Sequence, residues 1–487
     1  MQGKSKRQIV ITGIGAISPL GIGIDEVWES LSAGRSGVTN VDLIKASAIP
    51  DHIGGQARGF NEKKVKELVR PRKSIKAMCR EIQMGVASAN VALDVAGLGE
   101  GQTAVAPERL GIDFGANLML SPPEVLARGA LACCEEGTFE FHHEKWGKAG
   151  LSNMEPLWLL LFLPNMPACH IGISADARGP SNSLTMAEAS GGLAICEAIR
   201  ILERDSADVM ICGTTGTTLH AVQSMHAVMW NKLAPAVGND PAKASRPFDL
   251  KRAGQVVSEG SATLILEEEE HATKRGAKIY GRILGAGSSC VSKSQGVGNT
   301  RAALKLAMQA AIRDAGLQPS DIGHINANAE GDPIEDVQES LAIHDVFGEL
   351  GSTIPVTAFK SYWGNPGASC GTLEIVGSLL GLLHGVVVPT LNYETPDPQC
   401  PLNVVHGAPL PISNKIFIKA TFGRESKRNS PEPTLKDVEN LVGPTSDGDK
   451  RSARAQLEQD LHQGQRHQSR SGECDCSVGG LSLGGMN

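Results

Sequence analysis

The sequence predicts an α/β protein built as two halves around buried sheets, followed by a polar tail. Three observations predict it. Short β-branched runs alternate with helical patterns along most of the chain. The 487 residues are 41% hydrophobic, enough for a large core and two to three domain-sized units. Beyond Phe422, large apolar residues become scarce and Ser, Pro, Gly, Asp, Lys and Gln take over.

The run IVITGIG at residues 9–15 reads as a strand entering a Gly-rich turn. A helix follows near Asp25–Ala33, with Asp25 and Glu26 in its first turn complementing the helix dipole. GGLAICEAIRILER (191–204) reads as a helix and ADVMICGTTG (207–216) as the strand after it. SATLILEEEEHATKRG (261–276) is a strand passing into a charged helix, and KIYGRILGAG (278–287) is the next strand. The same alternation continues through ALKLAMQAAIRDAG (303–316), HINANAEG (324–331), PVTAFKS (355–361) and LEIVGSLLGLLHG (373–385). Strands alternating with helices argue for sheets buried on both faces. The two halves meet near Gly276–Gly285, giving units at 1–276 and 277–423. Residues 424–487 are expected to be disordered, with at most a short exposed helix at Ala453–His462.

Composition excludes several function classes. Charged residues make up 20% and the net charge is −7, so nothing global favours nucleic acid. Eleven cysteines in a chain this long are not a disulfide framework. Cys169, Cys196 and Cys212 sit in apolar contexts and read as small buried thiols in a reducing compartment, as do Cys133 and Cys134. Cys474 and Cys476 leave a metal site or a bridge open, without partner ligands nearby. The start, basic and then apolar, is broken by Thr12, Gly13, Gly15 and Pro19 and does not read as a signal peptide. Leu157–Leu163, the longest other apolar stretch, is far too short for a bilayer. A cytoplasmic protein without membrane contact is expected. His142 and His143 are adjacent and point apart on most backbones, so no metal is expected there. The lone Gly13–Gly15 pattern is weak evidence for a dinucleotide.

Five collinear blocks carry a resemblance. They are RQIVITGIGAISPLGIGIDEVWESLSAGRSGV (7–38), GPSNSLTMAEASGGLAICEAIRIL (179–202), SRPFDLKRAGQVVSEGSATLILEEEEHATKRGAKIYGRI (245–283), HINANAEGDPIEDVQES (324–340) and AFKSYWGNPGASCGTLEIVGSLL (358–380). From about Lys6 to Gly423 the chain resembles the elongating β-ketoacyl-[acyl-carrier-protein] synthases. The resemblance implies the thiolase-like fold, two related α/β halves in a five-layer αβαβα sandwich. It implies no cofactor and no metal, an acyl carrier protein as partner, and a dimer formed through the strand before the nucleophile, Ser181–Met186 here. The second subunit would be another copy or an active ketosynthase.

That family attacks an acyl thioester with a cysteine at a helix N-terminus and uses two histidines on the malonyl group. Here the nucleophile position falls on Glu188, and the histidine positions fall on Asn328 and Asn365. Glu188 is an anion at a helix start, where it either only caps the helix or closes the acyl tunnel. Neither asparagine exchanges a proton near neutral pH, though each has amide hydrogens to donate. Lys360 and Glu374 fall on the family's lysine and its carboxylate partner. The family's Phe-Gly-Phe-Gly-Gly gate reads Phe422, Gly423, Arg424 here, which puts Arg424 at the gate and leaves the closing strand without a counterpart.

Lys63, Lys64, Lys66, Arg70, Arg72, Lys73, Lys76 and Arg80 form a basic stretch with Glu67 opposing. It is either a solvated face or, by its position in the family, a docking surface for the acidic carrier, centred on Arg72, Lys73 and Lys76. The resemblance implies a ketosynthase that has lost condensation and acts like a chain-length-factor subunit. A malonyl-carrier decarboxylase or residual acyltransferase is the alternative, and a free acyl sensor a third reading.

Overall fold

The computed structural model describes residues 7–44, 52–135, 137, 140–230, 232–238, 240–292 and 298–423, and the backbone of 476–484. In the first half lie β1 (Ile9–Ser18), α1 (Gly23–Ser32), α2 (Arg80–Val95), β2 (Leu110–Ala116), α3 (Met166–Ala175), β3 (Ser181–Leu184), α4 (Ser190–Glu203), β4 (Val209–Thr217) and β5 (Glu259–Glu268). In the second lie β6 (Gly281–Gly285), β7 (Ser288–Cys290), α5 (Thr300–Asp314), β8 (His324–Asn326), α6 (Glu335–Phe347), β9 (Pro355–Thr357), α7 (Cys370–Leu383), β10 (Asn403–Val404), β11 (Ile416–Phe422) and β12 (Cys476–Gly484).

The main sheet runs β10-β9-β8-β11-β12-β6-β1-β5-β4-β2-β3. Its pairing repeats. β1 pairs antiparallel with β5, β5 antiparallel with β4, and β4 parallel with β2, which is parallel to β3. In the second half β6, β12, β11, β8 and β9 follow each other with the same sequence of orientations. The two sets meet where Ile9 pairs with Ile283. The halves are therefore two copies of one topology, joined edge to edge.

Helix α7 is buried along nearly its whole length, as a helix that is hydrophobic all round must be. It packs against α4, its counterpart in the first half. A Cβ on Gly191 of α4 would lie 3.1 Å from the Thr372 nitrogen of α7, so the two helices meet through small residues. α2 covers the other face of the first sheet, and α5 lies against β11 and β12 of the second. The layers are the five expected for the fold.

Gly13 and Gly15 have a packing explanation. A Cβ on Gly15 would sit 2.0 Å from the Ser88 carbonyl, and one on Gly13 2.3 Å from the Ala92 carbonyl. The pattern lets α2 lie close on β1.

One expectation changes, and the tail contributes one strand. Cys169 is exposed, because it occupies the outward face of α3 between the buried Ala168 and His170. Within the segment expected to be a disordered tail, Cys476–Gly484 forms a strand in the middle of the sheet. The stretch CSVGGLSLG carries no charge, unlike the polar sequence before it. Phe422 on β11 pairs directly with Ser477, where a short hairpin would have sufficed, yet residues 424–475 intervene. The rest of that tail, with Arg424 and the proposed helix at 453–462, lies outside the described residues.

β12 holds the place in the second half that β5 holds in the first. Ending the chain at Asp475 should leave β6 and β11 with unpaired backbone edges. Such a truncation is expected to abolish soluble, monodisperse protein. Size-exclusion chromatography showing a truncated chain as well folded as the full one would contradict this role for β12.

Candidate active site

The two central helices begin at one place. The chain leaves β3, passes through Ala187 at φ +45°, and enters α4 at Ser190. Ser190 Oγ accepts from the Met186 nitrogen at 2.9 Å and donates to the Ala187 carbonyl at 2.7 Å, which fixes this elbow. Glu188 stands at its tip. In the second half the chain leaves β9, turns at Gly364 and Asn365, and enters α7 at Cys370. Strand β3 ends at Leu184, so the edge is shorter than the Ser181–Met186 expected.

Asn365 Nδ2 donates to Glu188 Oε1 at 3.2 Å, joining the two elbow positions. The same amide nitrogen donates to Gln255 Oε1. Asn365 Oδ1 accepts from the Gly367 nitrogen at 3.0 Å and from Cys370 Sγ at 2.9 Å. Both amide hydrogens of Asn365 are thus engaged inside the protein, which corrects the idea that it has one to offer a thioester oxygen. Part of Glu188 stays exposed while its carboxyl end is enclosed. Burial raises its pKa above the ordinary value, and Glu330 raises it further; the Asn365 hydrogen bond and Lys232 act the other way.

Behind this pair lies a buried charge network. Lys360 Nζ donates to Glu374 Oε1 at 2.8 Å, to the Asn328 carbonyl at 2.7 Å and to Asn328 Oδ1 at 3.1 Å. A second lysine, Lys419 of β11, approaches Glu374 Oε2 at 2.6 Å and donates to the Ala327 carbonyl at 3.0 Å. Burial lowers the Lys419 pKa, and Glu374 counters it in part. For Lys360 burial also acts to lower the pKa, but the carboxylates of Glu374 and Glu330 outweigh it and the result is raised. Glu339 of α6 accepts from the Asn328 and Ala329 nitrogens, each at 2.7 Å. Burial raises the Glu339 pKa against those hydrogen bonds. Asn328 Nδ2 lies 3.4 Å from Glu330 Oε1. Removing Glu374 would strand the buried charges of Lys360 and Lys419, at a cost of about 3–5 kcal/mol or more.

The structure therefore brings Glu188, Asn328, Asn365, Lys360 and Glu374 into one connected site. Phe422 does not open onto it; it is packed in the second-half core with Ile325, Ile418 and Ala420. Arg72, Lys73 and Lys76 lie elsewhere, exposed on a short 3-10 turn over Arg72–Ala77. Their neighbours are more neutralised than the sequence suggests. Lys64 pairs with Glu67, Lys66 with Glu62, Arg70 with Asp94, and Arg80 turns inward to Glu259. Sequence reasoning missed Gln255, Glu330, Glu339, Cys370 and Lys419. Lys419 had a signal, a lone cation in the apolar run IFIKATF.

Two α/β repeats whose central helices begin at one enclosed polar site define a thiolase-like protein of the ketosynthase class. The chain matches the beta-ketoacyl synthase N-terminal domain over residues 6–272 and the beta-ketoacyl synthase C-terminal domain over residues 280–394. It belongs to the beta-ketoacyl synthase family. It is 30% identical over 405 residues to 3-oxoacyl-[acyl-carrier-protein] synthase 2 of Staphylococcus aureus, covering 82% of this chain and 91% of that one. For the synthase 2 of Synechocystis sp. the identity is 31% over 430 residues, 87% of this chain and 97% of that one. A beta-ketoacyl synthase from Burkholderia phymatum shares the fold with a TM-score of 0.76 at 24% identity, covering 99% and 100% of the two chains. The ishigamide ketosynthase/chain length factor does so with a TM-score of 0.76 at 22% identity and the same coverage.

The raised Glu188 pKa has a stability consequence. A carboxyl raised in the folded state favours folding less as pH climbs from its ordinary value of 4.5 towards its folded value. Glu188→Gln keeps an acceptor for Asn365 and removes the charge. Its melting temperature should exceed that of the parent at pH 8, with the gap narrowing towards pH 4. A gap that is constant or widens towards acid in thermal melts would contradict the placement of this carboxyl.

Proposed function

We propose that the chain is a ketosynthase-fold subunit that no longer condenses, and that it serves fatty-acid or polyketide assembly by binding a carrier or its acyl group beside a partner synthase. One observation carries the reading. The nucleophile position is a carboxyl, and it is hydrogen-bonded to the residue at the second histidine position. A carboxylate is a weak nucleophile toward a thioester, and an asparagine cannot act as a general acid or base. Residual decarboxylation has less support, since Asn365 spends both amide hydrogens within the site.

A partner surface suits the same reading. β3 ends the sheet. Ser183 Oγ donates to the Pro164 carbonyl, and the stretch leading to Pro164 exposes Leu157 and Leu159. An unpaired strand edge with exposed apolar side chains fits a two-fold contact with a second copy or with an intact synthase.

Labelled acyl-carrier protein should leave the purified chain unlabelled, and malonyl-carrier should give no 3-oxoacyl product. Glu188→Cys alone should acylate slowly and elongate at least about 100-fold more slowly than an intact synthase, because both histidine positions remain asparagine. Full elongation by that single variant would overturn the assignment of Asn328 and Asn365.

Carrier docking makes a separate prediction. Arg72, Lys73 and Lys76 present cations that none of the ion pairs above consumes. Binding of an acidic carrier should weaken with salt, and changing all three to Glu should weaken it by roughly tenfold or more. Titration calorimetry or fluorescence anisotropy finding neither effect would leave the turn as a solvated face.

A further inference from the structure

Asn365 sorts the groups around it into donors and acceptors. Its Oδ1 accepts from the Gly367 backbone nitrogen, which can only donate, so the opposite end of the side chain is Nδ2. One hydrogen of Nδ2 goes to Glu188 Oε1 and the other to the side chain of Gln255. The facing atom of Gln255 must therefore be its oxygen, Oε1. With Oε1 pinned, the other arm of that amide, Nε2, turns away from Asn365. Among the described residues nothing accepts from Nε2, and it is not one of the buried side-chain atoms left without a partner. Gln255 itself is half-buried. Its Nε2 is thus a donor held in place at the solvent-reachable rim of the site.

The backbone fixes Gln255 as well. Its nitrogen donates to the Lys232 carbonyl at 2.7 Å, and its carbonyl accepts from the Ala234 nitrogen at 2.9 Å. The Val256 carbonyl after it accepts from the Asn365 nitrogen at 2.7 Å. The Gly254 nitrogen before it donates to the Gly331 carbonyl at 3.0 Å, one residue from Glu330. A fixed N–H at the rim selects a ligand with an acceptor, and the surrounding charge decides which kind. Glu188 and Glu330 bring two carboxyls there, against the cation of Lys232. A carboxylate ligand meets like charge; a neutral carbonyl oxygen takes the hydrogen without that repulsion.

We propose, on the reading above that the chain binds an acylated carrier, that Gln255 Nε2 donates to the carbonyl oxygen of the carried acyl group and so orients a neutral acyl thioester in the site. The contact is a hydrogen bond alone, and the thioester stays intact.

The test compares two forms of one acidic acyl carrier protein. One is its hexanoyl thioester. The other has its thiol alkylated by a hexyl group, which puts CH2 in place of the carbonyl. Titration calorimetry gives the affinity of the full chain for each. The same ratio is then measured in Gln255→Glu, which keeps an oxygen for Asn365 and loses the donor, and in Gln255→Met, which loses both without adding charge. The hexanoyl-to-hexyl ratio should fall by about three- to tenfold in each variant, the loss of one hydrogen bond. A role confined to holding Asn365 would weaken both carriers alike and leave the ratio unchanged, which overturns the proposal. A ratio that falls in Gln255→Glu alone also overturns it, since the new charge then accounts for the change. Without any variant, the parent chain should bind the malonyl thioester of the carrier about tenfold or more weaker than the butyryl thioester. Equal or tighter binding of malonyl overturns the assignment of a neutral ligand. Binding of neither the hexanoyl nor the hexyl carrier by the parent chain brings down the reading above and this contact with it. Binding of both with one ratio in all three proteins brings down the contact alone.

Discussion

The close contact of α4 and α7 is the constraint on which the site depends. Gly191 and Gly192 of one helix meet Gly371 and Thr372 of the other, and Thr214 bonds the Thr372 hydroxyl from the sheet below. Larger side chains at these positions would push the helices apart. The two helix starts then fix the two elbows, and the elbows fix the distance between Glu188 and Asn365. A site made of residues 177 positions apart in sequence is thereby set by a handful of small side chains.

Within that frame the charges are arranged for retention of structure. Glu374 is shared by Lys360 and Lys419, and Glu339 is spent on two backbone nitrogens. Glu330 raises the Glu188 pKa, and the charge of Lys232 acts the other way. The thiol that the site does contain, Cys370, is fully buried; burial pushes its pKa far up, and it donates to Asn365. A buried neutral thiol of that kind is inert toward thioesters. Glu188 meets the helix N-terminus that would favour an anion, yet burial and Glu330 outweigh that preference.

Most of the fold was legible because each element combines pattern and boundary. The β-branched runs at β1, β4 and β5 and the uniformly apolar α7 leave little choice of structure. That Glu188, Asn328, Asn365, Lys360 and Glu374 lie together was foreseeable because the elbow sequences are collinear with the family's. Three things were not. β12 lacks the β-branched density of a strand and follows a long polar stretch; its pairing is decided by two vacant edges far away in sequence. Gln255, Glu330 and Lys419 lie near the site only through tertiary contacts, which no local pattern encodes. Asp113, in the middle of β2, is fully buried with neither oxygen hydrogen-bonded, and burial pushes its pKa up to about 7. A single acidic residue in GIDFGA gives no sign from sequence that its strand is central rather than exposed.

Backbone and side chain share the work of holding the site unequally from position to position. The elbow at Glu188 is held by Ser190 and by main-chain groups, with Gly423 close against the Met186 carbonyl. None of these contacts uses the side chain at 188. Asn328 is held through its backbone, its nitrogen by Glu339 and its carbonyl by Lys360. Asn365 is likewise fixed by its own nitrogen on the Val256 carbonyl at 2.7 Å. At position 188 the side chain can change while the elbow stays, whereas Asn365 Oδ1 also holds the Gly367 nitrogen and Asn328 Oδ1 accepts from Lys360. Lys360, Glu374 and Glu339 are different, because their side chains are what hold the backbone of the other positions. Losing one of them leaves a buried charge unpaired and a buried peptide group unsatisfied. The buried charge network is therefore the part of the site least open to change in this architecture.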